Sequence, residues 1–290
     1  MTMLNYQAIL NWQFEEIRHQ FTRRETMLYA VGIGMGTPPT DPGQLRFVYE
    51  KNLLAVPSMA SILCYPNSWL KDPRTGVDHR RVMNGGTQVV LHQPLPVEGI
   101  FRSRPRVLDV VDKGKGNGAV VRLERQVYDE RTEALVCTVT TTSFCRGHGG
   151  FGGPTQGATV GHASAVPDTQ PDLVVQFCTP RNLALLYRLS GDSNPLHADP
   201  EVARAAGFDE PILHGLCTFG IATHAVLAAC CEYDPSRITA LHARYTSFVV
   251  PGDTLETQIW RLGATVRFRC VVPVRNNAVV LDFGQASLCA

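Results

Sequence analysis

The chain has 290 residues, of which 44% are hydrophobic and 18% are charged, and its formal net charge is +1. This is the composition of an ordinary globular protein that can bury a sizeable core. The near-zero charge excludes the basic field expected of a nucleic-acid-binding protein. The longest apolar run, 215–231, is interrupted by polar residues and a glycine, so it is not a membrane span. We therefore expect neither a nucleic-acid nor a membrane partner.

The nine cysteines form no C-x-x-C pair, which argues against zinc ribbons and redox dithiols. Several of them fall in apolar runs, where cysteine is usually a small buried residue. Free thiols in this number indicate a reducing compartment. The N-terminus lacks the charged and apolar segments of a signal peptide, so we expect a cytoplasmic location.

In chain order, the first half (1–146) ends in a predicted antiparallel meander. Three β-rich segments, 106–112, 119–128 and 134–144, are joined by short turns and follow a Pro/Gly corner at 94–99. Residues 121–127 alternate between apolar and polar, which predicts one buried and one polar face. A short helix is expected before the meander, at 56–63.

The composition changes sharply after residue 146. Glycines are concentrated in 147–161 and two prolines follow, which predicts a linker or covering loop over 147–172. The second half (173–290) then repeats the pattern of the first, with a Pro/Gly corner at 250–252 and β-rich segments at 255–262, 265–273 and 278–288. We interpret the repetition as a duplication.

Three helices are predicted before the second meander. Thr179 caps the first, with Pro180 in its first turn, and Asp199 caps a second that ends at Gly207. The third, 212–232, is apolar nearly all round and should be central. A long buried helix wrapped by an antiparallel meander is the hot-dog arrangement. We therefore predict an α+β double hot-dog fold, with a degenerate first half that binds the ligand and a catalytic second half.

The residues best suited to chemistry lie in the second half. Asp192 and His197 stand five residues apart on a turn that Gly191 and Pro195 keep from being helical. The central helix opens with Gly215, so backbone N–H groups point out of its start. An acid, a base and an anion-binding helix start within one short span are sufficient to move a proton and stabilise an oxyanion.

Simpler explanations exist for the same residues. Asp192 is also a typical turn former, Asp199 is better explained as a helix cap, and His214 is favoured as a core histidine near the helix start. A metal site built from Asp192, His197, Asp199 and His214 matches no standard zinc spacing. We expect no metal.

Two glycine-rich turns, 113–118 and 149–153, are candidate phosphate cradles, although flexible turns with solvated lysines are the favoured interpretation. Arg188, beside the Asp192 turn, is an anion partner or a surface charge. Glu50 ends an apolar, strand-like run and either lines a pocket or pairs with a basic group.

The stretches 187–197 and 206–220 resemble the MaoC-like (R)-specific enoyl-CoA hydratases. The chain is most similar to the two-half hydratase unit of peroxisomal multifunctional β-oxidation enzymes. Weaker matches at 47–50, 94–96, 112–114, 149–153 and 250–252 extend the resemblance over nearly the whole chain. It implies hydration of trans-2-enoyl-CoA to (3R)-3-hydroxyacyl-CoA, with no cofactor besides the coenzyme A that the substrate carries. Medium, long or branched acyl chains are expected.

The resemblance implies that Asp192 and His197 are the catalytic pair, that Asn194 supports them, and that the Gly215 amide donates to the thioester oxygen. The candidates for substrate binding are Glu50, Lys113, Gly114, Arg188, His214 and Leu216. One departure is Asn84-Gly85, where relatives tend to carry His-Gly, which bears on the fit of the acyl chain. A homodimer is expected by analogy, because hot-dog sheets expose edges that usually pair.

Two other functions fit the same fold. A hot-dog thioesterase would also use a carboxylate and a polarised thioester. A degenerate double hot-dog could instead be a non-catalytic acyl-CoA-binding subunit. The order Asp-x-Asn-x2-His followed by His-Gly favours the hydratase, and the presence of both Asp192 and His197 argues against the non-catalytic subunit.

Overall fold

The computed structural model describes residues 3–66, 69–157 and 164–289. The strands are β1 (Ile17–Phe21), β2 (Val82–Leu91), β3 (Gly99–Ser103), β4 (Arg106–Asp112), β5 (Gly118–Asp129), β6 (Leu135–Arg146), β7 (Leu173–Cys178), β8 (Ile238–Tyr245), β9 (Thr254–Leu262), β10 (Thr265–Val272) and β11 (Ala278–Leu288). The helices are α1 (Tyr6–Leu10), α2 (Arg23–Gly32), α3 (Pro42–Val48), α4 (Leu183–Tyr187), α5 (Pro200–Ala205) and α6 (Gly215–Cys231). None of the helices within these ranges is both long and apolar enough to cross a bilayer.

All eleven strands form one sheet, and its order shows the duplication. The order is β1-β3-β5-β6-β2-β8-β11-β10-β9-β7, with β4 paired to β5 off this path. The second half read from its outer edge, β7-β9-β10-β11-β8, repeats the order β1-β3-β5-β6-β2 of the first. The central β2–β8 pairing, from Gly86 opposite Arg244 to Val90 opposite Ala240, joins the halves. The double hot-dog prediction is confirmed.

The central helix is α6, and the sheet wraps it as predicted. Its buried residues, among them Cys217, Phe219 and Val226, point in all directions around its axis. It begins three residues later than predicted because residues 212–214 are extended, with the Leu213 N–H bonded to the Val249 carbonyl at 2.7 Å. At Gly220 a Cβ would lie 2.4 Å from the side chain of Ile33, so glycine lets the end of α2 pack directly on α6.

The counterpart of α6 in the first half is shorter, as predicted, and is a 3-10 helix, Pro57–Ile62. The prediction that Glu50 ends a strand-like run is wrong. Residues 42–48 form α3, because Asp41 caps its start by accepting from the Gly43 and Gln44 N–H groups, and Pro42 fixes its first turn.

Of the two capping predictions in the second half, one is confirmed and the other is wrong. Asp199 caps α5 and accepts the Glu201 N–H at 2.8 Å, and Gly207 follows the helix at φ 90°. Thr179 is not a cap. Its hydroxyl donates to the Asp253 carbonyl and accepts the Gly252 N–H, both at 2.8 Å, and thereby ties the end of β7 to the Pro/Gly corner. Helix α4 starts only at Leu183.

Candidate active site

Asp192, His197 and His214 converge at one place in the second half. One carboxylate oxygen of Asp192 and one ring nitrogen of each histidine all lie within 4.8 Å of one another. The turn between the first two is shaped locally: Asp192 Oδ1 accepts the Asn194 N–H at 3.1 Å, and Asn194 Oδ1 accepts the Leu196 N–H at 3.2 Å. The second bond caps the 3-10 turn Pro195–His197, which returns His197 toward Asp192. Asn194 therefore shapes the turn that carries Asp192 and His197, and its part in catalysis stays a prediction.

The tautomer of His197 is set by the backbone. Its Nδ1 lies 2.8 Å from the Ile212 carbonyl oxygen, to which it donates, so Nε2 carries no proton in the neutral ring. Burial lowers the pKa of His197, and this effect outweighs the opposing effects of the Ile212 bond and the Asp192 charge. His197 is therefore neutral at pH 7, with a free acceptor nitrogen for a water proton.

His214 lies behind His197 and is fully buried. The two rings stack with centroids 3.7 Å apart, and His214 Nε2 bonds to the backbone carbonyl of Asp192 at 3.2 Å. Burial, followed by the neighbouring His197, lowers the pKa of His214 to about 3. The geometry favours a supporting role, in which a neutral His214 holds the Asp192 backbone, over direct contact with substrate.

Gly215 is the first residue of α6, and its N–H lies at the positive end of the helix dipole. His214 precedes it and supplies no side-chain cap. In the part of the chain that the structure describes, the Gly215 N–H has no hydrogen-bond acceptor. A Cβ at this position would lie 3.1 Å from the ring of Tyr245. The close approach of Tyr245 thus favours glycine at this position, a reason that the sequence did not show.

Several tyrosines around the site were missed by sequence reasoning. The Tyr187 ring, fully buried at the end of α4, has its centroid 5.1 Å from that of His214 and 6.0 Å from that of Tyr29. The Tyr29 hydroxyl bonds to Ser58 Oγ at 2.9 Å. Tyr187 begins the stretch 187–197 that carries the resemblance, but its spacing gave no sign that its ring packs on the site. These rings join the 3-10 helix of the first half to the site.

The first half also reaches the site through the central strands. Tyr245 on β8 bonds through its hydroxyl to Thr87 on β2 at 3.0 Å. Asn84, the departure from the family pattern, lies at a bulge on β2, where its Oδ1 accepts the Gly86 N–H at 3.3 Å.

Two of the remaining substrate-binding candidates lie near the Asp192 cluster, and three lie away from it. Leu216 is buried in the first turn of α6, and the half-buried Arg188 lies close enough to His214 to contribute to its lowered pKa. Lys113 and Gly114 lie in the exposed β4–β5 turn, and Glu50 is exposed just beyond α3. Neither the turn nor Glu50 belongs to the Asp192 cluster, and the backbone carbonyl of Glu50 accepts a hydrogen bond from Arg23.

The two glycine-rich turns bind a carboxylate of this chain. The N–H groups of Gly114, Gly150 and Gly152 donate to the Asp112 carboxylate at 2.7–2.9 Å. Burial of Asp112 disfavours its charge, but the backbone bonds from these turns outweigh burial and lower its pKa. These three N–H groups are therefore already hydrogen-bonded within the chain, to Asp112. Residues up to 157 form a covering loop over β4, and 158–163 of the predicted linker lie outside the described residues.

Two family models match the chain. The MaoC-like domain matches residues 162–281 and the MFE-2 hydratase 2 N-terminal domain matches residues 19–147. Peroxisomal enoyl-CoA hydratase 2 of Arabidopsis thaliana is 35% identical over 96% of this chain and 94% of its own length. The 3-hydroxyacyl-thioester dehydratase Y of Mycobacterium tuberculosis is 38% identical over 95% and 96%.

Solved structures agree with these relatives. A MaoC-like dehydratase from Phytophthora capsici is 32% identical, covers 99% of both chains and has a TM-score of 0.85. The full-length peroxisomal multifunctional enzyme type 2 of Drosophila melanogaster is 33% identical with a TM-score of 0.81, and this chain corresponds to 48% of it. The chain therefore belongs to the MaoC-like hydratase 2 family.

Proposed function

We propose that the chain catalyses the reversible addition of water to trans-2-enoyl-CoA, giving (3R)-3-hydroxyacyl-CoA. The observation that carries the proposal is the convergence of the Asp192 carboxylate and the neutral His197 imidazole beside the open N–H of Gly215. Membership in a family whose relatives are named enoyl-CoA hydratase 2 supports the same reaction.

A single water fits between the pair. Two hydrogen bonds of about 2.8 Å to one water span up to roughly 5.6 Å. A carboxylate oxygen of Asp192 and a ring nitrogen of His197 lie within 4.8 Å of each other. His197 Nε2 is unprotonated and accepts a hydrogen bond from one O–H of this water, while the Asp192 carboxylate accepts a hydrogen bond from the other. The water oxygen is then oriented by both partners and becomes a better nucleophile.

The reaction follows from this arrangement. The water oxygen bonds to C3, and the electron pair of the C2–C3 double bond moves toward the thioester and forms an enolate. One partner of the pair takes the proton that the water loses. The pair then gives a proton to C2 from the same face, which restores its starting protonation. The Gly215 N–H donates to the thioester oxygen, where the negative charge appears, and the α6 dipole adds to this stabilisation.

The first experiment follows loss of the conjugated enoyl-thioester absorbance with short and medium trans-2-enoyl-CoAs, for the wild type and Asp192→Asn in parallel. We expect turnover by the wild type and a loss of at least about 100-fold in kcat for the variant, because a positioned acid–base group contributes about 10²–10⁴-fold. Acyl-CoA binding by the variant, measured by calorimetry, should stay nearly intact. Equal loss of binding and turnover would assign Asp192 a folding role instead.

The configuration of the product is tested with an (S)-specific dehydrogenase, which should ignore it. Release of free CoA thiol without hydration would identify a thioesterase. Tight acyl-CoA binding without either reaction would identify a non-catalytic subunit.

For the acyl chain we propose medium to long or branched groups. A cavity of about 460 Å³ lies between the halves and is lined largely by apolar side chains, including Val31, Met35, Phe177 and Leu186. This volume is within the range of small-molecule sites. Leu183 also lines it and lies one helical turn before Tyr187, whose ring packs on His214.

Narrowing this cavity tests the proposal. Val31→Trp should lower kcat/KM for a ten-carbon substrate at least about tenfold more than for a four-carbon substrate, because the added ring fills the space of the longer chain. Val174→Trp, at an exposed position on β7, is the control. Equal losses on both substrates in Val31→Trp would exclude this cavity as the acyl site.

We also propose a homodimer in a reducing, cytoplasmic compartment. The sheet ends in β1 and β7, whose outer edges have no partner strand among the described residues. The nine cysteines are all unpaired, which suits reducing conditions. Light scattering at micromolar concentration should give about twice the mass of 31.9 kDa, and a monomer would refute the dimer.

A further inference from the structure

Tyr245 packs against the residue at which α6 begins. A Cβ on Gly215 would lie 3.1, 3.2 and 3.4 Å from Cδ1, Cε1 and Cγ of the Tyr245 ring. The ring therefore lies directly against the Gly215 backbone, whose N–H has no hydrogen-bond acceptor within the described ranges. Because closely packed neighbours transmit small displacements, the position of the ring affects the direction in which this N–H points.

The Tyr245 hydroxyl is tied to the first half of the chain. It shares a hydrogen bond of 3.0 Å with the hydroxyl of the buried Thr87. Thr87 lies on β2 opposite Ala243 of β8, two residues before Tyr245. Side chains two residues apart on a strand lie on the same face, so the phenol of Tyr245 reaches diagonally across the junction between the halves. Burial raises the pKa of Tyr245, so its hydroxyl is protonated at pH 7.

A bulge on β2 places Thr87. The register of β2 against β6 shifts between Asn84 and Gly86, where Asn84 Oδ1 accepts the Gly86 N–H at 3.3 Å. A Cβ at Gly86 would lie 3.0 Å from the carbonyl oxygen of Ala243, so glycine allows the close approach of β2 to β8 at this point. Bulges redirect the side chains beside them. Residues 84–86 thus bring the Thr87 hydroxyl within reach of Tyr245.

The first half contacts α6 at a second point, further along the helix. The 3-10 helix of the first half is held at its end by the buried Arg125, which donates to the Ser61 carbonyl at 2.8 Å. Ser58 of the same 3-10 helix bonds to the Tyr29 hydroxyl at 2.9 Å. That hydroxyl lies 3.2 Å from the position that a Cβ on Gly220 would take. The body of α6 is therefore fixed independently of the contact at its start.

We propose that Tyr245 is a positioning residue for the Gly215 N–H, and that the Thr87 hydroxyl of the first half holds Tyr245 in place. The inference rests on the proposed function and gives the first half a part in it, because a residue of β2 orients the donor that meets the thioester oxygen. A preorganised donor stabilises developing charge best when its direction is fixed before the reaction. Neither side chain transfers a proton, and no covalent step is added.

A double-mutant cycle tests the proposal, with kcat and KM for a ten-carbon trans-2-enoyl-CoA measured for the wild type, Tyr245→Phe, Thr87→Val and the double variant. Each single substitution removes the hydroxyl bond and should lower kcat about 3- to 30-fold, a part of the roughly 10²–10³-fold that loss of a whole oxyanion donor costs. KM should change less than about threefold. The double variant should be no slower than the slower single variant, because both substitutions remove the same bond.

Two further variants are controls for the hydroxyl and for stability. Thr87→Ser keeps the hydroxyl and should keep kcat within about twofold of the wild type. Thr26→Val is the matched control, because Thr26 is equally buried and its hydroxyl donates to the Val97 carbonyl at 2.7 Å, near the start of α2. It should lower the thermal stability about as much as Thr87→Val does and leave kcat unchanged.

The infrared stretch of the thioester carbonyl separates positioning from a merely structural role. Decanoyl-CoA has no double bond to hydrate, and its carbonyl can be isotope-labelled. A hydrogen bond to the carbonyl oxygen lowers the stretching frequency, so bound decanoyl-CoA should show a higher frequency in Tyr245→Phe than in the wild type, and the wild-type frequency in Thr26→Val.

An unchanged carbonyl frequency in Tyr245→Phe overturns the inference. With an active wild type, so does an unchanged kcat in Tyr245→Phe, a double variant in which the two losses multiply, or a Thr87→Ser variant as slow as Thr87→Val. A wild type inactive on every enoyl-CoA overturns the proposed function instead, and the carbonyl frequencies then still decide whether Tyr245 acts on the thioester.

Discussion

Replacing Gly215 with alanine tests how the start of α6 serves the reaction. A Cβ at this position would lie 3.1 and 3.2 Å from Cδ1 and Cε1 of the Tyr245 ring, whereas ordinary carbon contacts are about 3.5–4.0 Å. The ring cannot swing away freely because its hydroxyl bonds to Thr87 across the junction between the halves. Either the ring or the helix start must move by a few tenths of an ångström.

The magnitudes follow from these contacts. Overpacking costs about 1–3 kcal/mol, and alanine gains up to about 1 kcal/mol in helix propensity, so the free energy of unfolding should fall by about 0–2 kcal/mol. The effect on turnover is larger, since losing a preorganised oxyanion donor costs about 10²–10³-fold in kcat. The enoyl-CoA absorbance assay at saturating substrate measures kcat, and thermal denaturation measures stability.

The double variant Gly215→Ala/Tyr245→Leu separates two causes. Removing the ring relieves the clash, so stability should recover relative to Tyr245→Leu alone. If displacement of the helix start caused the loss of turnover, kcat recovers too; if the methyl group itself blocks the thioester, kcat stays low. Wild-type kcat in Gly215→Ala would refute the reasoning, because the amide could not then be a close donor to the substrate.

Three further results are expected. Because burial lowers the pKa of His197 below 6.5 and the reaction needs the neutral ring, kcat/KM should be flat from pH 8 to 6.5 and fall only at lower pH; an acid limb at or above pH 6.5 would contradict this. Since His214 has a folded-state pKa of about 3, the unfolded chain binds a proton that the folded chain refuses, and the free energy of unfolding should decrease as pH falls from about 6.5 to about 3. His214→Asn should show a shallower decrease in denaturant titrations, and an unchanged slope would exclude His214 as a cause. Asp192, His197 and His214 offer three groups suited to a metal, but the two histidine rings stack with centroids 3.7 Å apart, so their in-plane lone pairs do not converge on one ion. Prolonged dialysis against EDTA should therefore leave kcat unchanged; loss of activity restored by a divalent cation would refute the metal-free reaction.

The parts of the fold that sequence predicted correctly are those with local signals. Alternation and turn residues predicted the two meanders, and the apolar run after Gly215 predicted the central helix. Thr179 was misassigned because Thr-Pro resembles a helix start, whereas its hydroxyl bonds to residues 252 and 253, more than 70 positions away. Such contacts leave no mark on the local pattern. The Asp192–His197 turn was predictable because hydrogen bonds between its own residues shape it.

The supporting side chains of the site required the three-dimensional structure. Tyr187 and Tyr245 come from two distant segments, and nothing in their spacing shows that one packs on His214 and the other on Gly215. Arg125 did carry a signal that went unused. In the alternating run 121–127 it occupies a position of the apolar face, between Leu123 and Val127, where a charged residue is rare without a partner.

The duplication explains why a charged residue can persist at that core position. In the second half, the hot-dog helix supplies the Gly215 N–H, and the turn before it supplies Asp192 and His197. In the first half, the 3-10 helix Pro57–Ile62 ends against the Arg125 guanidinium, so its carbonyl end binds a cation instead of its amide end facing an anion. The two equivalent helices thus face charged groups with opposite ends: the amide end in the second half, and the carbonyl end in the first half.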